Sequence, residues 1–251
     1  MPGVDISSSE STSSKLNPTS ISDMTDSLPH FQSFAFEGQQ HTSNFGYYED
    51  HIFPLALQTK ADWNPSVSET VAHIESLSKS GALFDLVQKH GGALLIRGLP
   101  IDDAETYSLI AHAFGFSAHE EVGRPPVRTV LAKNVKTANE GPPELPIWPH
   151  NEYGWSTHNP AWLTFSCLHV PQSGGATPLI SSIGLAHRLQ KEAPAFFAQL
   201  LRKGVRYLYR YGREQVTSTT GASVFAAYGQ DVQEGDNEAT IRAKIEKEVQ
   251  Y

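Results

Sequence analysis

The chain has 251 residues, of which 39% are hydrophobic and 18% charged, and a formal net charge of −8. That acidity argues against the clustered Lys and Arg surface that displaces counterions from nucleic acid, so a small molecule is the simpler substrate class. The lone cysteine, Cys167, excludes an intrachain disulfide and a cysteine-built zinc site, and its apolar neighbours predict a small buried hydrophobe.

Nothing in the chain repeats, and its length fits one domain after a tail. Residues 1–28 are rich in Ser and Thr and poor in large apolar side chains, so they read as a disordered tail before a domain over 29–251. Ser, Thr, Asp and Glu fill the region where a secretory signal needs an apolar core, and the first Arg is Arg97, which speaks against a mitochondrial presequence. No apolar run nears the roughly 18 residues that a membrane-spanning helix needs. A soluble cytoplasmic protein without a membrane partner is expected.

Aromatics return between His30 and Tyr48 as a packing arm, and Ile52 to Leu57 reads as a first edge strand. Ser66 and Glu69 have the spacing of a capping box. Val67, Val71, Ile74 and Leu77 then share one helical face. A second helix carries Leu83, Leu86 and Val87 and stops at Gly91 or Gly92. Ala93 to Ile96 follows as a buried strand. Asp102 or Asp103 caps a third helix with Tyr107, Ile110, Ala111 and Phe114 on one face. Past the break at Arg124-Pro125-Pro126, Val127 to Ala132 reads as a strand, and Lys133 to Pro149 as a loop over the mouth of a site.

The stretch from Trp148 to Ile180, WPHNEYGWSTHNPAWLTFSCLHVPQSGGATPLI, carries the chemistry. In an extended strand, residues two apart leave the same face, so His150 and Glu152 offer one nitrogen and one oxygen to a single metal ion. With a second His, that donor set is the facial triad of non-haem iron(II) oxygenases. Trp148, Tyr153 and Trp155 flank the pair, as pocket walls or as ordinary core and rim aromatics.

Further along, Ala161 to Val170 reads as a strand buried on both faces, because its polarity scarcely alternates. Helices are predicted over Ser182 to Gln190 and Pro194 to Lys203, with Pro194 at a first helical position. Val205, Tyr207, Tyr209 and Tyr211 have the period of a strand, and Glu238 to Gln250 reads as an amphipathic helix with Ile241, Ile245 and Val249 on one face.

The order of His-x-Glu, an aromatic-rich loop, Asn-Pro, an apolar strand and Pro-x-x-Gly-Gly-x-Thr-Pro-Leu resembles the taurine dioxygenase and clavaminate synthase group of iron(II)- and 2-oxoglutarate-dependent oxygenases. HGGALLIRGLP, residues 90–100, resembles a strand of the same family. The resemblance implies an α+β fold, a distorted jelly roll or double-stranded β-helix with flanking helices, here without its closing strands. It also implies iron(II) on His150 and Glu152, 2-oxoglutarate held with the help of Thr177, and oxidation of a small organic substrate coupled to formation of succinate and carbon dioxide. Glu in place of the commoner Asp resembles the clavaminate synthase side of the group.

The family also has a distal His and an Arg that grips 2-oxoglutarate. No His follows His187; His158, His169 and His187 do not occupy the family position, and Arg206, Arg210 and Arg213 cannot be assigned to that Arg. Two explanations follow: a truncated form of a longer oxygenase, or a short paralogue that binds a ligand or partner without turnover. A cupin-type hydrolase or isomerase is a further alternative. Missing strands leave exposed edges open to self-association.

Overall fold

The computed structural model of the protein describes residues 28–120, 128–138, 140, 147–153, 158–208, 210–214, 223–229 and 231–249. The tail assigned to residues 1–28 lies outside that set except for Leu28, which is buried.

The main sheet has three strands in the order β1 (Phe31–Ser33), β4 (Leu55–Thr59), β5 (Leu94–Arg97). β4 is therefore the central strand, antiparallel to β1 and parallel to β5, and not the edge strand its sequence predicts. Leu55, Ala56 and Leu57 are all buried, as expected for a strand paired on both sides. A second ribbon pairs β2 (Gln40–His41) with β3 (Ile52–Phe53), and Pro54 separates β3 from β4.

Parallel strands need a long crossover, and two helices supply it. α1 (Val67–Lys79) begins at a complete capping box: Ser66 accepts from the Glu69 backbone N–H, and Glu69 accepts from that of Ser66. α2 (Ala82–Lys89) ends at His90, with Gly91 and Gly92 both at positive φ. α3 (Ala104–His112) is capped by Asp103, whose carboxylate accepts from Thr106 N at 2.7 Å. Ile74, Leu77, Leu83, Leu86 and Ile110 close over Leu28, Phe31, Leu55 and Leu57 to form the principal core.

α3 carries the next element. Ser108 donates to Lys133 O at 2.7 Å, and Asn134 lies 3.0 Å from His112 Nε2, which fixes a hairpin of β6 (Val130–Ala132) and β7 (Val135–Lys136). Part of the expected loop over Lys133 to Pro149 is thus the second strand of this hairpin. α4 (Ser182–Glu192) and α5 (Pro194–Lys203) follow, with Pro194 at the first turn of α5. α4 docks on a 3-10 turn at Thr42–Phe45, where Gly184 admits Phe45 and His187 Nδ1 donates to Phe45 O at 2.8 Å. α6 (Val224–Tyr228) and α7 (Glu238–Val249) form a second core, in which Ile241 packs with Val224, Ala227, Tyr228 and Val232.

Two predicted strands are absent. Ala161–Val170 lies outside every sheet, and its burial alternates: Trp162, Thr164, Ser166 and Leu168 turn partly inward while Leu163, Phe165, Cys167 and His169 are exposed. The inward row meets Phe114 and Phe116 through Trp162 and Tyr107 through Thr164, and among the described residues the other row stays exposed. Cys167 is consequently exposed rather than buried. The described residues of Val205 to Tyr211 also form no strand: Val205, Tyr207 and Leu208 are exposed, and Tyr211 instead packs on the second core, its ring 5.6 Å from that of Tyr228. The molecule is α+β with small sheets, and the described strands close no barrel.

Candidate metal centre

His150 and Glu152 are brought together, though not by the strand their spacing predicts. Residues 147–151 carry no regular structure, and the chain turns at Glu152 and Tyr153, where Tyr153 adopts a left-handed φ of 58°. The turn still leaves both side chains on one side: His150 Nε2 stands 3.4 Å from Glu152 Oε1.

The imidazole is oriented from behind. Its Nδ1 lies 2.7 Å from Trp148 O. A carbonyl only accepts, so Nδ1 carries the proton, and in the neutral ring Nε2 presents a lone pair to the carboxylate. Two lone-pair donors at 3.4 Å, one of them anionic, form an arrangement that a cation between them would satisfy. The partly sheltered Glu152 carboxylate, 21% exposed against 54% for His150, also faces Arg128, with Nη2 3.9 Å from Oε2. Arg128 was not visible as a site residue in the sequence, because a single Arg 24 positions upstream has no spacing signature.

Other expected residues take different places. Trp148 is 75% exposed and contributes its carbonyl rather than its ring to the pair. Tyr153 is buried, its ring 4.5 Å from that of His119, which stacks in turn on His158 at 5.0 Å. Trp155 lies outside the described residues. Thr177 sits in the fully exposed stretch 171–180 and makes no hydrogen bond to the pair among the described residues. His187 is engaged with Phe45 O, and His169 is exposed, its carbonyl accepting from Cys167 Sγ at 3.4 Å. Arg213 donates to Glu234 O and Asp236 O, which binds it into the α6–α7 region.

A match to the family model of the taurine catabolism dioxygenase TauD, TfdA family runs over residues 52–246, most of the chain and all of this site. The chain belongs to the TauD/TfdA family. It is 28% identical over 179 residues to a clavaminate synthase-like protein of Arabidopsis thaliana, covering 69% of this chain and 53% of the relative. It is 27% identical over 157 residues to the dapdiamide synthesis protein DdaC of Enterobacter agglomerans, covering 62% and 44%. The chain spans about half the length of these curated relatives.

TauD/TfdA proteins are in general jelly-roll dioxygenases of small molecules that use iron(II) and 2-oxoglutarate. The donor set at hand fits part of an iron site. Two donors held at right angles on one ion, each about 2.1 Å away, stand roughly 3 Å apart, close to the 3.4 Å between His150 Nε2 and Glu152 Oε1. Imidazole and carboxylate are also two of the three ligands in a facial triad. Among the described residues no third His, Cys, Asp or Glu joins them. No described helix is long and apolar enough to cross a membrane.

Proposed function

We propose that the chain carries the His-x-Glu part of an iron(II)- and 2-oxoglutarate-dependent dioxygenase centre that oxidises a small organic molecule, by hydroxylation or desaturation. The observation that carries this reading is the approach of His150 Nε2 and Glu152 Oε1 to 3.4 Å with Nδ1 committed to Trp148 O. In this reading His150 and Glu152 hold the iron, Thr177 helps to hold 2-oxoglutarate, and the scaffold is the double-stranded β-helix of the family.

Bound iron and 2-oxoglutarate supply the oxidising chemistry, with succinate and carbon dioxide as coproducts. The protein's own residues orient and shelter. The Trp148 carbonyl fixes the ring so that Nε2 is the ligand nitrogen. The turn at Glu152 and Tyr153 aims the carboxylate back at it, and the buried Tyr153 ring anchors the turn against His119. In this reading Trp148 and Trp155 are the candidate aromatic walls for a small organic substrate, while the Tyr153 ring serves the turn.

The absence of a third donor among the described residues favours a second reading, a jelly-roll paralogue that binds a ligand or partner without turnover. A succinate assay with iron(II) and 2-oxoglutarate separates the two. Succinate formation that His150→Ala and Glu152→Ala each abolish supports the dioxygenase; metal binding with no conversion of 2-oxoglutarate supports the paralogue.

A further inference from the structure

The two oxygens of the Glu152 carboxylate have different neighbours. Oε1 faces His150 Nε2 at 3.4 Å, and Oε2 faces Arg128 Nη2 at 3.9 Å. Arg128 and Glu152 are each 21% exposed, so the pair lies largely out of solvent. The three side chains thus run in the order imidazole, carboxylate, guanidinium.

Arg128 is held where it stands by the hairpin it introduces. Its neighbour Thr129 donates from its backbone N–H to Thr137 Oγ1 at 3.1 Å and to Glu140 Oε1 at 2.7 Å, and Thr137 N donates to Thr129 O at 3.0 Å. Those two threonines keep the Glu140 carboxyl below the usual carboxylate range by hydrogen bonding to it, Thr129 first. The far end of the hairpin is tied to α3 through Ser108 and Lys133 O. The guanidinium therefore projects from a fixed base, while Glu152 sits on an irregular turn.

We infer that Arg128 is a positioning residue for the metal centre: it draws Oε2 to itself, so that Glu152 offers the ion Oε1 alone. This rests on the reading of His150 and Glu152 as iron ligands. The physical reason is competition for lone pairs. A carboxylate with both oxygens free can bind a cation through one or both of them, whereas one whose second oxygen faces a permanent cation is biased toward binding through the first. Single-oxygen binding leaves a coordination position for the 2-oxoglutarate that the proposed chemistry requires.

The test uses the full chain and cobalt(II) as an anaerobic spectroscopic probe, comparing wild type with Arg128→Gln, Arg128→Lys and His150→Ala. Arg128→Gln is expected to tighten cobalt binding, by up to roughly tenfold, because it frees a second carboxylate oxygen and removes a positive charge beside the ligand. It should also change the visible absorption of the bound ion, because that second oxygen enters its coordination sphere. Arg128→Lys, which keeps the charge, should restore most of the wild-type affinity and spectrum, a rescue that a merely structural role would not produce. Should Arg128→Gln fail to fold, Arg128→Met, which keeps the packing of the stem, carries the same comparison. Cobalt binding that needs His150 but is indifferent in affinity and spectrum to Arg128 overturns this inference alone. Binding that His150→Ala leaves unchanged overturns the reading of the pair, and this inference with it.

Discussion

The Tyr107 hydroxyl donates to Thr164 Oγ1 at 2.7 Å, joining α3 to the segment that follows His150 and Glu152 across 57 residues of sequence. Burial pushes the Tyr107 phenol above its ordinary value and the Thr164 hydrogen bond opposes the shift, so the ring stays neutral and donates throughout the physiological range. Because no ladder holds 161–170, this contact and the packing of Trp162 on Phe114 and Phe116 are what fix it. Tyr107→Phe is expected to cost about 1 kcal/mol in denaturant unfolding. It should also speed amide exchange selectively at 161–168; unchanged exchange there would show that the aromatic packing suffices.

Stability should fall as the solution is acidified through the histidine range. His90 is buried, its Nδ1–H donates to Ile52 O at 2.6 Å, and its buried Nε2 has no hydrogen-bond partner among the described residues. Burial lowers its pKa from 6.5, the Ile52 bond partly opposes this, and His51 and Lys89 add to the lowering. The folded state therefore resists a proton that the unfolded chain accepts. The sign follows: the contribution is fully present above about pH 6.5 and is lost as the pH falls from there toward the lowered folded value. His73, shifted the same way by burial and by His30, adds to the slope. Melting temperature should drop between about pH 7.5 and pH 5.5, and His90→Gln should flatten that drop without removing the share owed to His73.

Ile74 has no exposed surface and is enclosed by the principal core. Ile74→Ala is expected to lower unfolding free energy by about 2–5 kcal/mol. At the start of the same helix, Ser66→Ala should cost only about 1 kcal/mol, through loss of the cap. Denaturation midpoints of the two variants, compared under one set of conditions, check the ranking.

Cys167 belongs to the outward row of its segment. Iodoacetamide should therefore label it in the folded protein, to one equivalent and without denaturant. Labelling that appears only on unfolding would place the thiol inside.

Local signals were readable in the sequence and non-local ones were not. Ser66, Asp103 and Pro194 act on the backbone within a few residues of themselves, and α1, α3 and α5 begin where those residues predict. The rank of β4 in its sheet depends on Leu94–Arg97, more than 30 residues away, and no periodicity within Leu55–Thr59 encodes it. Ala161–Val170 shows the same gap, since its row of Leu163, Phe165 and Cys167 looks like core until one asks what covers it. At His150 and Glu152, a spacing of two residues predicts a shared side through an extended strand, whereas a turn brings the two side chains together. Arg128 was out of reach because only the hairpin brings it near.

Every side chain of the principal core, buried or flanking, falls between Leu28 and Phe114. A ribosome releases that whole interval before His150 leaves the exit tunnel, and domains made during synthesis tend to consolidate from the amino end. The parallel pairing of β4 with β5 waits on its two-helix bridge, a slow step whose strands both lie within this interval. Nascent chains can thus assemble their foundation first, and the loop bearing His150 and Glu152 is laid onto masonry that has already set.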